Sequence, residues 1–159
     1  MAIYMHFGDD IKGAVTTEGF VDWIELNSFQ WGVGRGVGSP TGSDKEREAS
    51  APSISEIVVT KVMDVASNKL LMDALAGELG TTVEIKFTTT TKNQTGEFLT
   101  YSLEKCGLSG YSVSSGGDRP SESLSLNFTK ISVTYKGIDS AGASQPDTVG
   151  YDLALMKTV

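Results

Sequence analysis

The stretch from Gly110 to Tyr135, GYSVSSGGDRPSESLSLNFTKISVTY, decides the fold. It reads as two strands joined by a tight polar connection. Glycine supplies positive φ and proline fixes its own, so Gly116, Gly117 and Pro120 mark the turn between them. In the outgoing run Leu124, Leu126 and Phe128 share one face, with Ser125, Asn127 and Thr129 opposite. Parity then slips, and Ile131, Val133 and Tyr135 become the apolar set. A slip of one residue within a strand predicts a β-bulge near Thr129–Lys130. The long bent hairpin is the spine of a curved sheet.

Upstream, Thr82–Thr88 alternates Val83, Ile85 and Phe87 with polar neighbours, and Phe98–Cys106 places Leu99, Tyr101 and Leu103 on one face. Between them, Thr89–Gly96 reads as a polar turn. Ala2–Phe7 is a first strand. Phe20–Trp31, FVDWIELNSFQW, is a second, and its parity slips between Ile24/Leu26 and Phe29/Trp31, which predicts another bulge near Asn27–Ser28. Ser53–Met63 is apolar on both faces at Ile57, Val58 and Val59, as in a strand covered on both sides. One helix is expected over about residues 67–79. Leu70 and Ala74 recur there at i+4, as do Leu71, Leu75 and Leu79; Asp64 or Ser67 caps its start and Gly77 or Gly80 its end. After a loop over Gly137–Asp147, Val149, Tyr151, Leu153 and Leu155 read as a last strand. Together these elements predict a mainly β chain, a single domain over residues 1–159. Its expected architecture is a compact antiparallel β-barrel of two sheets, with one flanking helix and a long extended loop.

That loop spans about residues 32–52, GVGRGVGSPTGSDKEREASAP, and has almost nothing apolar to bury. Ordering backbone costs about 1–2 kcal/mol per residue, so a segment of this length needs roughly 20–40 kcal/mol of compensation. Val33, Val37 and two alanines do not supply it. The loop is therefore expected to be mobile in an isolated protomer or ordered only against another chain.

With 13 Lys+Arg against 20 Asp+Glu, the net charge of −7 argues against nucleic acid and against an anionic membrane surface. Cys106 is the only cysteine, so no disulfide forms within the chain. The stretch MAIYMHFGDD lacks the basic flank and apolar run of a signal peptide, and no stretch is apolar enough for membrane insertion. The reading is of a protein made in the cytoplasm that leaves, if at all, without a cleavable signal.

Catalytic chemistry is hard to place. His6 is the only histidine and lies in a strand, which suits a sheet-face residue better than a triad member. One His and one Cys do not make a zinc site. The run from Gly32 to Gly38 matches neither a dinucleotide fingerprint nor a P-loop, because Ser39–Pro40 follows where a helix should. Ser109 would need a glycine at Tyr111 to sit in a nucleophile elbow. Asp9–Asp10 lacks the spacing of a calcium loop. The sequence is read as neither an enzyme nor a cofactor carrier. What remains is sheet surface, and sheet edges have to be closed, covered or paired.

The chain resembles the Hcp family, the inner-tube subunits of the bacterial type VI secretion system. The blocks that carry the resemblance are IKG at Ile11–Gly13, WIELNSFQWG at Trp23–Gly32 and REASAPSISEIVVTKVMDVAS at Arg47–Ser67. LEKCGLSGYSVSSGGDRPSESLSLNFTKISVTY at Leu103–Tyr135 and GYDL at Gly150–Leu153 complete it. The resemblance implies hexameric rings that stack into a hollow tube and a contractile sheath that fires the tube. It also implies a spike protein at the tip and small effector proteins carried inside. On that reading Arg35, Lys45, Glu46, Arg47 and Glu48 belong to a ring-stacking loop. Ser112 and Ser114, beside Gly110, line the lumen while Tyr111 and Val113 face the barrel. The competing reading is a monomeric secreted β-sandwich binding module, such as an adhesin or carbohydrate-binding domain, with Trp23, Trp31 and Tyr101 as its aromatic platform.

Overall fold

The computed structural model describes residues 1–38, 49–91, 94–137 and 146–159. Its elements in order are β1 (Ala2–Phe7), β2 (Ile24–Leu26), β3 (Ser28–Gln30), β4 (Val33–Gly34), β5 (Ser53–Ile54), β6 (Ile57–Val62) and α1 (Ser67–Ala76). They are followed by β7 (Thr81–Thr91), β8 (Gln94–Ser114), β9 (Ser121–Asn127), β10 (Lys130–Lys136), β11 (Pro146–Asp152) and β12 (Lys157–Thr158).

All pairings among these strands are antiparallel. One sheet runs β12-β11-β10-β8-β7-β1-β2. A second runs β3-β6-β9-β8. β8 belongs to both: its first part, up to Cys106, pairs with β7 and β10, and Gly107–Ser114 pairs with β9. The sheets therefore fold over one core built from Met5, Ile24, Ile57, Val59, Val83, Ile85, Leu103, Leu124, Leu126 and Ile131. Each such side chain contributes about 1.5–3 kcal/mol by leaving water.

Both expected bulges are in fact corners. β2 pairs with β1 in the first sheet, whereas β3 pairs with β6 in the second. β9 pairs with β6 and β8, and β10 then joins the first sheet between β8 and β11. At each corner the chain changes sheet, so residues on both sides of the slip still point into the same core. The corner amides are satisfied: Asn27 N donates to Thr60 O at 2.7 Å and Thr129 N to Glu104 O at 3.1 Å. The register shifts in the described ladders lie elsewhere, between Leu108 and Gly110 on β8 and at Thr81/Val83 and Phe87/Thr88 on β7.

Other expectations need correction. Thr89–Thr91 and Gln94–Gly96 pair as a ladder, with Thr89 opposite Gly96 and Thr90 opposite Thr95, because β-branched threonines suit a pleated strand, and Lys92 and Asn93 lie outside the described residues. On β6, Ile57 and Val59 are buried but Val58 is only half-buried, so one face alone is fully covered. α1 ends at Gly77, and its row Leu71, Leu75, Leu79 does not form the buried face. That face is Ser67 and Leu70, and Leu75 is 73% exposed. Asp64 starts the helix by accepting the amide of Ala66 at 2.9 Å, while its own amide donates to Ser67 Oγ. The last long strand stops at Asp152, whose carboxylate accepts the amide of Leu155 in the turn that follows. Val149 and Leu155 are exposed, and buried Gly150 takes the inward place.

The base of the expected extended loop is a paired ribbon. Val33 faces Ile54, Gly34 faces Ser53, and a further bridge joins Val37 to Ala49. Ser50 Oγ accepts the amide of Gly36 at 2.9 Å, and Ser55 Oγ that of Gly32 at 3.0 Å. Arg35 sits exposed on this ribbon. Lys45, Glu46, Arg47 and Glu48 lie outside the described residues.

Candidate functional site

Register places rows of mostly small, uncharged side chains across the outer face of the second sheet. Gly110 lies opposite Ser125, Ser125 opposite Val58, and Val58 opposite Gln30. One step along, Ser112, Ser123, Thr60 and Ser28 follow in register, and then Ser114, Ser121 and Val62. Residues opposite one another share a face. Ser112 and Ser114 are exposed, and Ser28 Oγ bonds Thr60 Oγ1 across the strands at 2.5 Å. The sequence-predicted pair Ser112/Ser114 is thus the edge of a wider hydroxyl wall. Its partners Ser28, Thr60, Ser121, Ser123 and Ser125 were missed. The alternation SESLSLN carried the signal for β9, but its register with β8, β6 and β3 is a long-range fact.

Behind the wall, the inner face of the same strands carries charge. Lys61 and Glu122 are essentially fully buried, and their Nζ and Oε1 lie 2.6 Å apart. Ser67 Oγ, from the first turn of α1, donates to the same Oε1 at 2.6 Å. Tyr111 donates its hydroxyl to Oε2, and Asp64 Oδ1 reaches Lys61 Nζ at 2.9 Å. Burial works to raise the Glu122 pKa, but hydrogen bonds from Lys61, Ser67 and Tyr111 and the Lys61 charge outweigh it and hold the carboxyl below its usual range. Burial, then the hydrogen bond and charge of Glu122, push Tyr111 up to about 12. Among the described residues no buried side-chain polar atom lacks a partner. The cluster ties α1 to the sheet, with its polar atoms engaged with each other. Lys61 and Glu122 also escaped sequence reading, although both stand at inward parity beside Val59 and Leu124. Val113 shares that inward parity but is 46% exposed, so only Tyr111 of the expected pair packs inside.

The residues considered for chemistry do not converge. His6 lies against Trp23, with ring centroids 5.2 Å apart, and its Nε2 is 3.7 Å from the exposed Asp9 carboxylate. Ser109, at the register shift in β8, donates to Glu56 rather than to a histidine. Cys106 is buried, and burial followed by the Asp73 charge pushes its thiol up to about 12. Among the described residues no three His, Cys, Asp or Glu side chains are grouped to hold a metal ion, and no helix is long and apolar enough to cross a membrane. The aromatic platform divides into two clusters. Trp23 packs with Phe20 and His6, and Trp31 packs against Tyr101, which also meets Phe29 and Phe87.

The family model described as type VI secretion system effector, Hcp, matches residues 4–135. No curated protein sequence is significantly similar to the chain. Among solved structures, a type six secretion system protein superposes with a TM-score of 0.89 at 27% identity, covering 99% of both chains. Hcp1 from Salmonella typhimurium superposes at 0.75 with 18% identity, over 99% of this chain and 98% of its own. A type VI secretion system effector from Yersinia pestis does so at 0.73 with 18% identity, over 94% of this chain and 98% of its own.

Proposed function

Because the chain belongs to the Hcp family of type VI secretion system effectors, we propose that it is a tube subunit that closes into hexameric rings. The rings stack into a hollow tube, and the protein is secreted with it. The observation that carries this reading is the hydroxyl wall. A face of Ser28, Thr60, Ser112, Ser114, Ser121, Ser123 and Ser125, interspersed with Gln30, Val58 and Val62, is mostly small, hydroxylated and uncharged, which suits a lumen that holds a passing effector without gripping it. The sheet behind it supplies the other requirement. β3 and the Gly110–Ser114 end of β8 are its outer strands, with no further strand paired beyond them among the described residues. Such edges call for a partner.

On this reading the ribbon β4–β5, with Arg35, reaches toward the next ring, and Lys45, Glu46, Arg47 and Glu48 complete the stacking contact. A spike protein caps the tube, a contractile sheath surrounds it, and small effector proteins ride within it. The chain is made in the cytoplasm and exported without a cleavable signal. Native mass spectrometry tests the first step: a particle of ring mass supports the proposal, and a particle of 16.9 kDa at every concentration refutes it. A Ser112→Trp ring should form normally yet capture less effector, and undiminished capture would remove the lumen assignment. Deleting residues 39–48 should leave rings intact and stop tube growth in electron micrographs.

A further inference from the structure

The outer face of the second sheet ends beside a cavity. Val62 closes the last row of that face, with Ser121 and Ser114. It also lines a cavity of about 300 Å³, together with Val15, Glu25, Asn27, Asp64 and Arg119. The backbone around it is pinned. Arg119 comes from the β8–β9 hairpin, and the next residue, Pro120, accepts the amide of Met63 at 2.9 Å. Asn27 stands at the corner between β2 and β3, where Thr60 holds its amide. Val15 donates its amide to Trp23 O at 3.2 Å and accepts that of Asp22 at 2.9 Å. The charges here do not cancel one another. Asp64 is spent on Lys61 Nζ and on the amide of Ala66, each at 2.9 Å. Lys86, in register with Glu25 across Tyr4, is held by Glu97 at 2.6 Å and lies over Trp23. Among the described residues Arg119 and Glu25 therefore make no ion pair.

We propose that this cavity is a peptide site at the mouth of the lumen, and that it takes an extended segment of the cargo carrying one acidic and one basic side chain. Its place in a lumen rests on the ring reading; its chemistry rests on the cavity alone. A single exposed charge is merely solvated, but here two of opposite sign, an amide and two valines line one concave space. The Arg119 guanidinium offers a fork of donors that matches a carboxylate. Glu25 accepts from an ammonium or a second guanidinium. The Asn27 amide both donates and accepts, as a peptide bond requires. Val15 and Val62 supply hydrocarbon for the stems between them. The volume is at the small end of ligand sites, so it admits a few side chains and not a folded domain. One such site per protomer gives a ring several weak grips on one cargo, which add through their high local concentration. The hydroxyl face lets the cargo slide, and the cavity at its end retains it.

Fluorescence anisotropy tests the site with a capped, dye-labelled peptide, Asp-Ala-Lys, and its uncharged counterpart, Asn-Ala-Gln. The charged peptide should bind assembled rings saturably, and more weakly as salt rises. The uncharged one should bind at least about tenfold more weakly. Arg119→Gln and Glu25→Gln should each weaken the charged peptide about tenfold. Both residues are exposed, so ring mass and melting temperature should not change. Rings of correct mass that bind neither peptide, or both alike, would overturn the site and leave the ring reading standing. So would binding that survives Arg119→Gln undiminished. If Arg119→Gln instead stops rings from stacking while the peptide still binds, the cavity receives the next ring and the cargo assignment is wrong. Arg119-dependent binding to a particle of single-chain mass would keep the peptide site and remove its place in a lumen.

Discussion

The two faces of the second sheet use the same strands in opposite ways. The inner face hides a lysine, a glutamate and a tyrosine hydroxyl, whereas the outer face displays serines and threonines. Ordinary surface logic puts charge outside and small residues wherever they fit. Here charge is spent on holding α1 in place, and the surface is kept neutral. β9 shows the division in one strand: Glu122, Leu124 and Leu126 point in, and Ser121, Ser123 and Ser125 point out. A buried ion pair does not need to stabilise the fold more than hydrocarbon would, but it fixes which helix face meets which strand. We read the inner face as the device that sets geometry and the outer face as the one that uses it.

The sharpest way to break the contrast is to remove one charge from the inner face. Lys61→Met leaves Glu122 buried without its cation and should cost about 3–5 kcal/mol, measured by urea unfolding. Adding Glu122→Leu should recover most of that loss, because a hydrocarbon pair fits the same space without stranding a charge. If the double variant is as weak as the single one, the pair contributes net stability rather than orientation. Tyr111→Phe is milder. It deletes one hydrogen bond to a charged group and should cost about 1.5–3 kcal/mol.

How much of this contrast was legible beforehand depends on range. The hairpin at Gly110–Tyr135 and the start of α1 are local patterns, and Gly117 does take positive φ, at 107°. Corners were mistaken for bulges because both produce the same slip in a one-dimensional pattern; only pairing partners tell them apart. The ribbon at Val33 and Ile54 looked unpaired because its halves lie far apart in sequence. Lys61 and Glu122 broke the inward hydrophobic pattern in two separate strands, and neither strand alone reveals that they compensate each other. The hydroxyl wall was half visible for the same reason: Ser112 and Ser114 lie on one strand, and the rest of the face is set by register.

Titration probes the inner face from both sides of neutrality. The Glu122 carboxyl is depressed in the fold, so its contribution is present above the unfolded glutamate value of about 4.3 and is lost as pH falls through the folded value. The Tyr111 hydroxyl is raised, so its contribution is intact below about 10, the unfolded value, and is lost as pH rises through about 12. Melting temperature should therefore fall at both extremes. The Lys61→Met/Glu122→Leu variant should lose less on the acid side, since no carboxylate remains there to protonate. Equal acid sensitivity in the two proteins would place the effect on other carboxylates, Glu97 first. Burial opposes ionisation of Glu97 as well, and Lys86 and then Lys136 overcome it and lower its pKa.

The outer face should yield the smallest effects on folding. Ser123→Ala and Ser112→Ala alter surface hydroxyls on a ladder whose backbone bonds remain, so unfolding free energy should stay within about 0.5 kcal/mol of the parent. A double-mutant cycle between Ser123→Ala and Tyr111→Phe sharpens the point. The two side chains stand on opposite faces of the paired strands β8 and β9, so their effects should add within about 0.3–0.5 kcal/mol. A larger coupling would mean that the sheet transmits strain from one face to the other. In that case a load on the serine wall would be felt at the helix, and the two faces would be one device.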